Sequence, residues 1–372
     1  MIQITRKQKI TAILLCLMLA VVSLSHARDF NIRVLAQGLN HPWSMAFLPD
    51  GSMLVTERSG KLRLLNKAFS ADTLIKGLPS IRAMGQGGLL DVAIHPDYRN
   101  NGWIYFSYSG PDKADFSTEV GRARLQGDTL IDWQTLFKLM PKSNSSYHFG
   151  SRLVFGRQGD LYITLGDRGD RYRAQKLHDH AGSVIRLHDD GRVPEDNPFT
   201  AQKEARAEIY SYGHRNLQGA ALHPVSGRLW THEHGPQGGD ELNMIQAGAN
   251  YGWPVISYGE EYGTDTPVGE GTHKPGMQQP LHYWVPSIAP SGMAFYTGDR
   301  FPQWKGSLFI GSLKFRLLVR LELDGDKVIK EERLLKDKLG RIRDVRNGPD
   351  GYLYLLTDAA NGKLVRLEPA AD

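Results

Sequence analysis

Ala93-Ile94-His95-Pro96-Asp97 runs through a turn into Trp103-Ile104-Tyr105-Phe106. A small–apolar pair, a Pro or Gly turn and then an apolar strand decide the fold, because the order recurs. Ala46-Phe47-Leu48-Pro49-Asp50-Gly51 leads into Met53-Leu54-Val55-Thr56, and Val154-Phe155-Gly156 passes Gly159 into Leu161-Tyr162-Ile163-Thr164. Ala221-Leu222-His223-Pro224 passes Gly227 into Leu229-Trp230-Thr231, and Ala294-Phe295 passes Phe301-Pro302 into Leu308-Phe309-Ile310-Gly311. Val345 passes Pro349-Asp350-Gly351 into Tyr352-Leu353-Tyr354-Leu355-Leu356. Each strand is short, rich in β-branched and aromatic residues, and bounded by turn formers. Repeats of about 50 residues with several strands apiece are the signature of propeller blades. The chain is expected to be all-β, a six-bladed β-propeller whose long loops form a site on one face. The longer third and fourth spacings predict insertions that emerge there. Only stretches such as 329–338 have the composition for a short helix.

Composition agrees with this reading. Of 372 residues, 41% are hydrophobic and 23% charged, which excludes a disordered chain. Forty glycines suit a turn-dense β protein better than a helical one. The single cysteine, Cys16, excludes an internal disulfide, a Cys-rich zinc site and an iron–sulfur cluster. Arg6, Lys7 and Lys9 precede an apolar run from Ile10 to Leu24, and Ser25-His26-Ala27 supplies small residues for cleavage. Residues 1–27 read as a secretory signal peptide, with 28–372 as the mature domain and the periplasm as its destination. The run is short of the ~20 residues that span a bilayer, and no second one follows, so no stable membrane insertion is expected. The formal charge is +5; removing the three basic residues of 1–27, which holds no acids, leaves +2. The basicity is mostly an export signal and not a nucleic-acid footprint.

Nucleotide-binding, zincin and α/β-hydrolase motifs are absent. Polar loop segments beside the repeats stand out instead. They are Ser145 to Leu153 around His148, Tyr212-Gly213-His214-Arg215-Asn216, and His232-Glu233-His234-Gly235-Pro236 through Asp240-Glu241-Leu242-Asn243. Lys314 and Gly340-Arg341-Ile342-Arg343-Asp344 complete the set. Arg341 and Arg343, at i and i+2, share one face of an extended strand. With Lys314 and Arg215 they suit one ligand bearing several carboxylates, or else ordinary surface salt bridges. Asp240 and Glu241 are hard oxygen donors of the kind calcium prefers, or a solvated acidic turn.

In ordered series, these strings resemble the soluble pyrroloquinoline quinone (PQQ)-dependent glucose and aldose sugar dehydrogenases. The series runs Gly85-Gln86-Gly87-Gly88-Leu89-Leu90, His148 before Gly150-Ser151-Arg152-Leu153, Pro194-Glu195-Asp196-Asn197-Pro198-Phe199, Gly213-His214-Arg215-Asn216, Glu233-His234-Gly235-Pro236, Asn250-Tyr251-Gly252-Trp253-Pro254 and Arg341-Ile342-Arg343-Asp344-Val345. The resemblance spans nearly the whole mature chain and implies a six-bladed propeller that oxidises aldoses at the anomeric carbon to lactones. It implies His148 as general base and Gln86, Arg215, Asn216, Tyr262, Lys314, Arg341 and Arg343 as PQQ contacts, with Arg215 also polarising the quinone. It implies Gly235 and Pro236 as carbonyl ligands of a calcium on PQQ, and Asp240, Glu241 and Tyr251 as a separate calcium site. Tyr147 stands where soluble glucose dehydrogenases carry an acid, which points to a broader aldose range. With no haem attachment motif, electrons pass to a separate acceptor; the protein is expected as a monomer or homodimer. The competing classes are a calcium-dependent propeller lactonase or esterase and a non-catalytic glycan- or protein-binding propeller.

Overall fold

A computed structural model describes residues 30–110 and 115–370, which form six four-stranded antiparallel sheets. The signal peptide assigned to residues 1–27, with Cys16, lies outside the described residues. Each recurring unit is the hairpin of an innermost strand and its neighbour. These pairs are β2 (Pro42–Phe47) with β3 (Met53–Glu57), β6 (Leu89–Ile94) with β7 (Trp103–Ser109), and β10 (Leu153–Phe155) with β11 (Leu161–Thr164). They continue with β14 (Leu217–Leu222) and β15 (Leu229–Glu233), β18 (Pro290–Phe295) and β19 (Leu308–Ser312), and β22 (Ile342–Asn347) and β23 (Leu353–Thr357). The ring closes by pairing the ends of the chain. β1 (Phe30–Leu39) adds to β24 (Gly362–Pro369) and completes the sixth sheet, with Phe30 opposite Pro369. The closure joins the chain's two ends in one hydrogen-bonded ladder, so no gap is left between first and last blades.

Apolar clusters fill the spaces between successive sheets. One, for example, joins Leu54 and Leu62 of the first blade to Phe106 and Ala123 of the second. Innermost strands contact their neighbours all round the axis, where space is tightest and small residues such as Ala46, Ala93, Ala220 and Ala294 recur. Gly292 shows the constraint: a Cβ there would lie 2.3 Å from Asp344 Oδ1.

Charge fills the centre. Arg152 Nη1 lies 3.1 Å from Asp91 Oδ1 and 3.0 Å from Asp344 Oδ1. Arg346 reaches the same two acids at 2.9 and 3.0 Å. Asp91 also accepts from the Ser44 hydroxyl and, at 2.7 Å, from the Leu153 amide. Asp344 accepts from the Met45 amide at 3.1 Å, and Arg152 donates to the Gln218 carbonyl at 2.9 Å. Blades one, two, three, four and six are thus tied at one buried knot. The fifth joins through the Ser291 hydroxyl, 2.7 Å from the Ile342 carbonyl.

Five of the six innermost hairpins break register at one end, leaving Trp43, Leu90–Asp91, Gln218, Ser291–Gly292 and Arg343 unpaired. Such bulges re-aim side chains. Trp43, Leu90, Gln218 and Arg343 all turn into the cavity described below.

Two expectations need correcting. Residues 329–338 do not hold a helix; β21 (Lys327–Leu334) runs through them as an edge strand on β20 (Leu318–Asp324). Ladder pairing outweighs the helix preference of its Lys and Glu residues. The insertions also do not all emerge on one face. In the third blade, residues 165–182 link β11 to β12 (Ser183–Leu187) on the site face. Residues 188–208 link β12 to β13 (Ile209–Tyr212) at the opposite strand ends, because antiparallel strands alternate their exits.

The central knot yields a first prediction. Replacing Asp91 with Ala removes one of the two carboxylates paired with Arg152 and Arg346 and should cost about 3–5 kcal/mol in denaturant unfolding. A loss below about 1 kcal/mol would show that the knot does not hold the blades together.

Candidate active site

On one face of the propeller, connections from each outermost strand to the next innermost strand meet those from second to third strands. There they enclose a two-lobed cleft. The inner lobe, about 530 Å³, lies over the axis and is lined by Trp43, Arg58, Gln86, Asn216, Gln218, Lys314, Arg316, Arg341 and Arg343, among others, with no acidic side chain among the described residues. The outer lobe, about 750 Å³, opens between His148, Arg215, Gly235, Pro236, Glu260 and Tyr262. Gln86, His234, Ala289 and Lys314 line both. Residues from nine separate connections therefore converge, including all the expected cofactor contacts.

His148 sits on a strained loop. Its own φ is +52°, Gly150 follows at +64° and Ser151 at +94°, a run that only over-determined surroundings sustain. Those surroundings are visible. Gln86 Oε1 accepts from the His148 amide at 2.8 Å, and Asn216 Oδ1 accepts from the Gly150 amide at 3.2 Å. From below, the buried guanidinium of Arg168 donates to the carbonyls of Ser145 and Tyr147 and stacks 3.6 Å from the Phe149 ring centre.

The imidazole itself is held by Asp167, whose Oδ1 lies 2.6 Å from Nδ1. Asp167 is fixed in turn by the Gly169 amide at 2.8 Å and the Trp253 indole N–H at 2.8 Å. Burial opposes its ionisation, but the bond to His148 and the charges of His148 and Arg215 prevail. Its carboxyl is held below the usual range. An ionised Asp167 accepts a hydrogen bond from the Nδ1–H, which leaves the Nε2 lone pair for the cleft. Sequence reasoning missed Asp167. Its only signal was the Gly166-Asp167-Arg168-Gly169 turn after β11, found by asking what orients the histidine.

Arg215 is buried over the Trp253 ring at 5.3 Å and donates to the carbonyls of His234 (3.1 Å) and Gly235 (2.8 Å). Arg343 and Arg341 share Asp358, at 2.6 and 3.3 Å. Burial works against that carboxylate, yet the two arginines and His41 drive its pKa far below the ordinary value. His234, which lines both lobes, is pushed down to about 3 by burial and carries no charge.

The expected calcium residues separate into two groups. Asp240 is committed to protein donors: the Ser287 hydroxyl and the amides of Gly235, Ile288 and Ala289. It thereby sets the loop carrying Gly235 and Pro236, although burial still raises its pKa to about 6. Glu241 lies in a different cluster. Buried beside Glu233, it is pushed up to about 8 by burial and by that neighbour's charge. Asn243 Nδ2 bridges the two acids, while its Oδ1 is buried without a partner. Glu233 bonds His214, on which the Tyr251 ring stacks with centres 4.5 Å apart. Two acids and an orphan amide oxygen suit an oxygen-liganded cation. Among the described residues, no group of three or more His, Cys, Asp or Glu side chains is arranged to hold a metal by itself.

Tyr262 stands at the rim, 67% exposed. It is carried by the 245–281 connection, as is Trp253. That connection leaves its strand on the far face and runs beside the outermost strand of the third blade, where the amides of Tyr251 and Trp253 donate to the carbonyls of Tyr212 and Gly213.

Similar proteins place this geometry. The family model described as Glucose / Sorbosone dehydrogenase matches residues 39–366. Aldose sugar dehydrogenase YliI of Escherichia coli (strain K12) is 47% identical over 344 residues, covering 91% of this chain and 93% of that protein. Quinoprotein glucose dehydrogenase B of Acinetobacter calcoaceticus is 30% identical over 419 residues, covering 90% and 86%. Among solved structures, the PQQ-bound form of an aldose sugar dehydrogenase from Streptomyces coelicolor superposes with a TM-score of 0.75 at 28% identity, over 91% of this chain and 98% of that one. On the extent of the family match and the identity along almost its whole length, the chain belongs to the glucose/sorbosone dehydrogenase family.

Proposed function

We propose that the protein is a PQQ-dependent aldose dehydrogenase that oxidises the anomeric carbon. The observation that carries this is the pairing of an acid-free cationic lobe with a histidine whose Nε2 faces the adjoining lobe. A lactonase needs the base but not that concentration of positive charge, and a binding scaffold needs neither. The aldose sugar dehydrogenase relatives support the substrate class, and the PQQ-bound relative supports the cofactor.

The cationic lobe fits the three carboxylates of PQQ, with Lys314, Arg341 and Arg343 holding them and Gln86 and Asn216 lining the ring's edge. The carbonyls of Gly235, which also accepts from Arg215, and Pro236 would hold a calcium ion that would supply further positive charge beside the quinone. Bound PQQ supplies the orthoquinone that accepts two electrons as hydride. The sugar lies in the outer lobe with its anomeric hydroxyl toward His148. Nε2 takes the hydroxyl proton as the C1 hydrogen departs with its electron pair, and the lactone results. Asp167 fixes the ring's tautomer and stabilises the imidazolium that forms. Arg215, held by the Gly235 carbonyl, directs positive charge toward the oxygen where negative charge develops. Glu241 and Tyr251 belong to a second, structural calcium site, with Asp240 supporting the neighbouring loop. Export of residues 28–372 to the periplasm and electron transfer to an external acceptor complete the reading.

Three outcomes test it. Apo protein given PQQ and calcium should reduce an artificial dye in an aldose-dependent manner. His148→Ala should lower kcat by about 10²–10⁴-fold with little change in PQQ affinity. No reduction with any aldose, or full turnover by the variant, would sink the assignment. Asp167→Asn should lower kcat on the order of 10²-fold while leaving KM near its original value, because the amide frees the ring to adopt the other tautomer. An unchanged kcat would remove Asp167 from the reaction.

A further outcome concerns pH. Burial and the Glu233 charge push the Glu241 pKa up from the ordinary 4.5 to about 8, and these two values bound a window. The folded state thus keeps a proton that the unfolded chain releases, and stability falls as pH rises through that window. In chelator-treated protein the thermal midpoint should drop between about pH 4.5 and 8. Glu241→Gln should flatten that drop, and calcium should restore wild type at pH 8 but not the variant. A midpoint indifferent to calcium would dismiss this cation site.

A further inference from the structure

Charge balance in the inner lobe identifies one more cofactor residue. Five cations line that lobe: Arg58, Lys314, Arg316, Arg341 and Arg343. Two are offset within the protein, since Arg316 pairs with Asp337 at 2.7 Å and Asp358 neutralises one of the two arginines it bridges. Among the described residues, three positive charges remain without a counterion. One belongs to the Arg341–Arg343 pair and one to Lys314, whose ammonium makes only a ring contact among the described residues, 5.7 Å from Phe315. The third is Arg58, whose guanidinium makes no hydrogen bond, ion pair or ring contact with any described residue.

Arg58 is nonetheless a built feature. Its amide donates to the His41 carbonyl at 3.1 Å, and its carbonyl accepts from the Leu89 amide at 3.3 Å. The residue facing it is Gly88, at φ +154°, where a Cβ would sit 1.9 Å from the Arg58 carbonyl oxygen. The glycine-rich turn that brings Gln86 to the catalytic loop therefore also seats the Arg58 backbone. A half-buried, charged group held at its base and left unpaired at its tip is costly unless a ligand completes it.

We propose that Arg58 is the third counterion of the cofactor: it forms a charge-assisted hydrogen bond to one carboxylate of PQQ, so that three unmatched cations meet three carboxylates. This rests on the PQQ reading above and adds a residue to it. It also distinguishes Arg58 from Arg316, which lines the same lobe with its charge already spent on Asp337.

Binding to apo protein, without sugar or dye, tests the assignment. PQQ is titrated against tryptophan fluorescence, which Trp43 in the lobe wall makes responsive. R58Q should weaken PQQ at least tenfold and R58E further still, whereas R316Q should cost less than R58Q. The trimethyl ester of PQQ, which lacks the negative charges, should bind wild type and R58Q alike. Wild-type PQQ affinity in folded R58Q or R58E would overturn the assignment, and either variant suffices should the other fail to fold. Absence of PQQ binding by the wild type would overturn the cofactor reading itself, and this assignment with it.

Discussion

Six innermost strands must meet around one axis, and here two aspartates and two arginines close the space between them. Asp91 and Asp344 come from the second and sixth blades, Arg152 from the segment entering the third, and Arg346 from the sixth. Apolar side chains would fill that centre only at the expense of register, because each strand there presents a different backbone edge. Ion pairs with directional donors fix which edge faces which. A buried pair of this kind is weak evidence of net stability, since its desolvation offsets much of the attraction. Its contribution is to specify the arrangement. Five blades tied at one knot can neither slip nor rotate independently.

The site inherits its order from that knot. Arg152 follows Ser151 at the end of the strained loop carrying His148, so anchoring the guanidinium at the axis also anchors the catalytic loop. The bulges sit at the same level and turn Trp43, Leu90, Gln218 and Arg343 into the cleft. The cleft is consequently polarised. Uncompensated positive charge gathers at the axis, and the base with its aspartate lies toward the rim. A ligand with several carboxylates at one end and a reactive edge at the other has one orientation that satisfies both.

Much of this was legible in the chain. Turn–strand units of the Ala93–Phe106 kind map one to one onto the innermost hairpins, because a blade's second turn needs the same Pro or Gly chemistry each time. His148, Arg215, Lys314 and the Arg341–Arg343 pair were distinctive residue types in polar loops, and the fold brings them together from connections far apart in sequence. What was not legible depends on partners that local sequence does not name. Asp167 is an ordinary turn aspartate until His148 lies 2.6 Å away. Arg58 reads as the end of a strand until the absence of a counterion is visible. Asp240 and Glu241 are neighbours in sequence but point to different clusters, as adjacent residues of a strand must. The 329–338 segment has helix-forming residues, but its fate was decided by an unfilled ladder on β20.

The central claim is that this cleft removes a hydride from the anomeric carbon with His148 as base. The most direct measurement is the rate of PQQ reduction in a stopped-flow single turnover, comparing an aldose with its C1-deuterated form. A several-fold slower reduction with the deuterated sugar is predicted, because the C1–H bond breaks as the cofactor is reduced. Equal rates in the chemical step, or sugar conversion with no change in the cofactor's absorbance, would contradict the account.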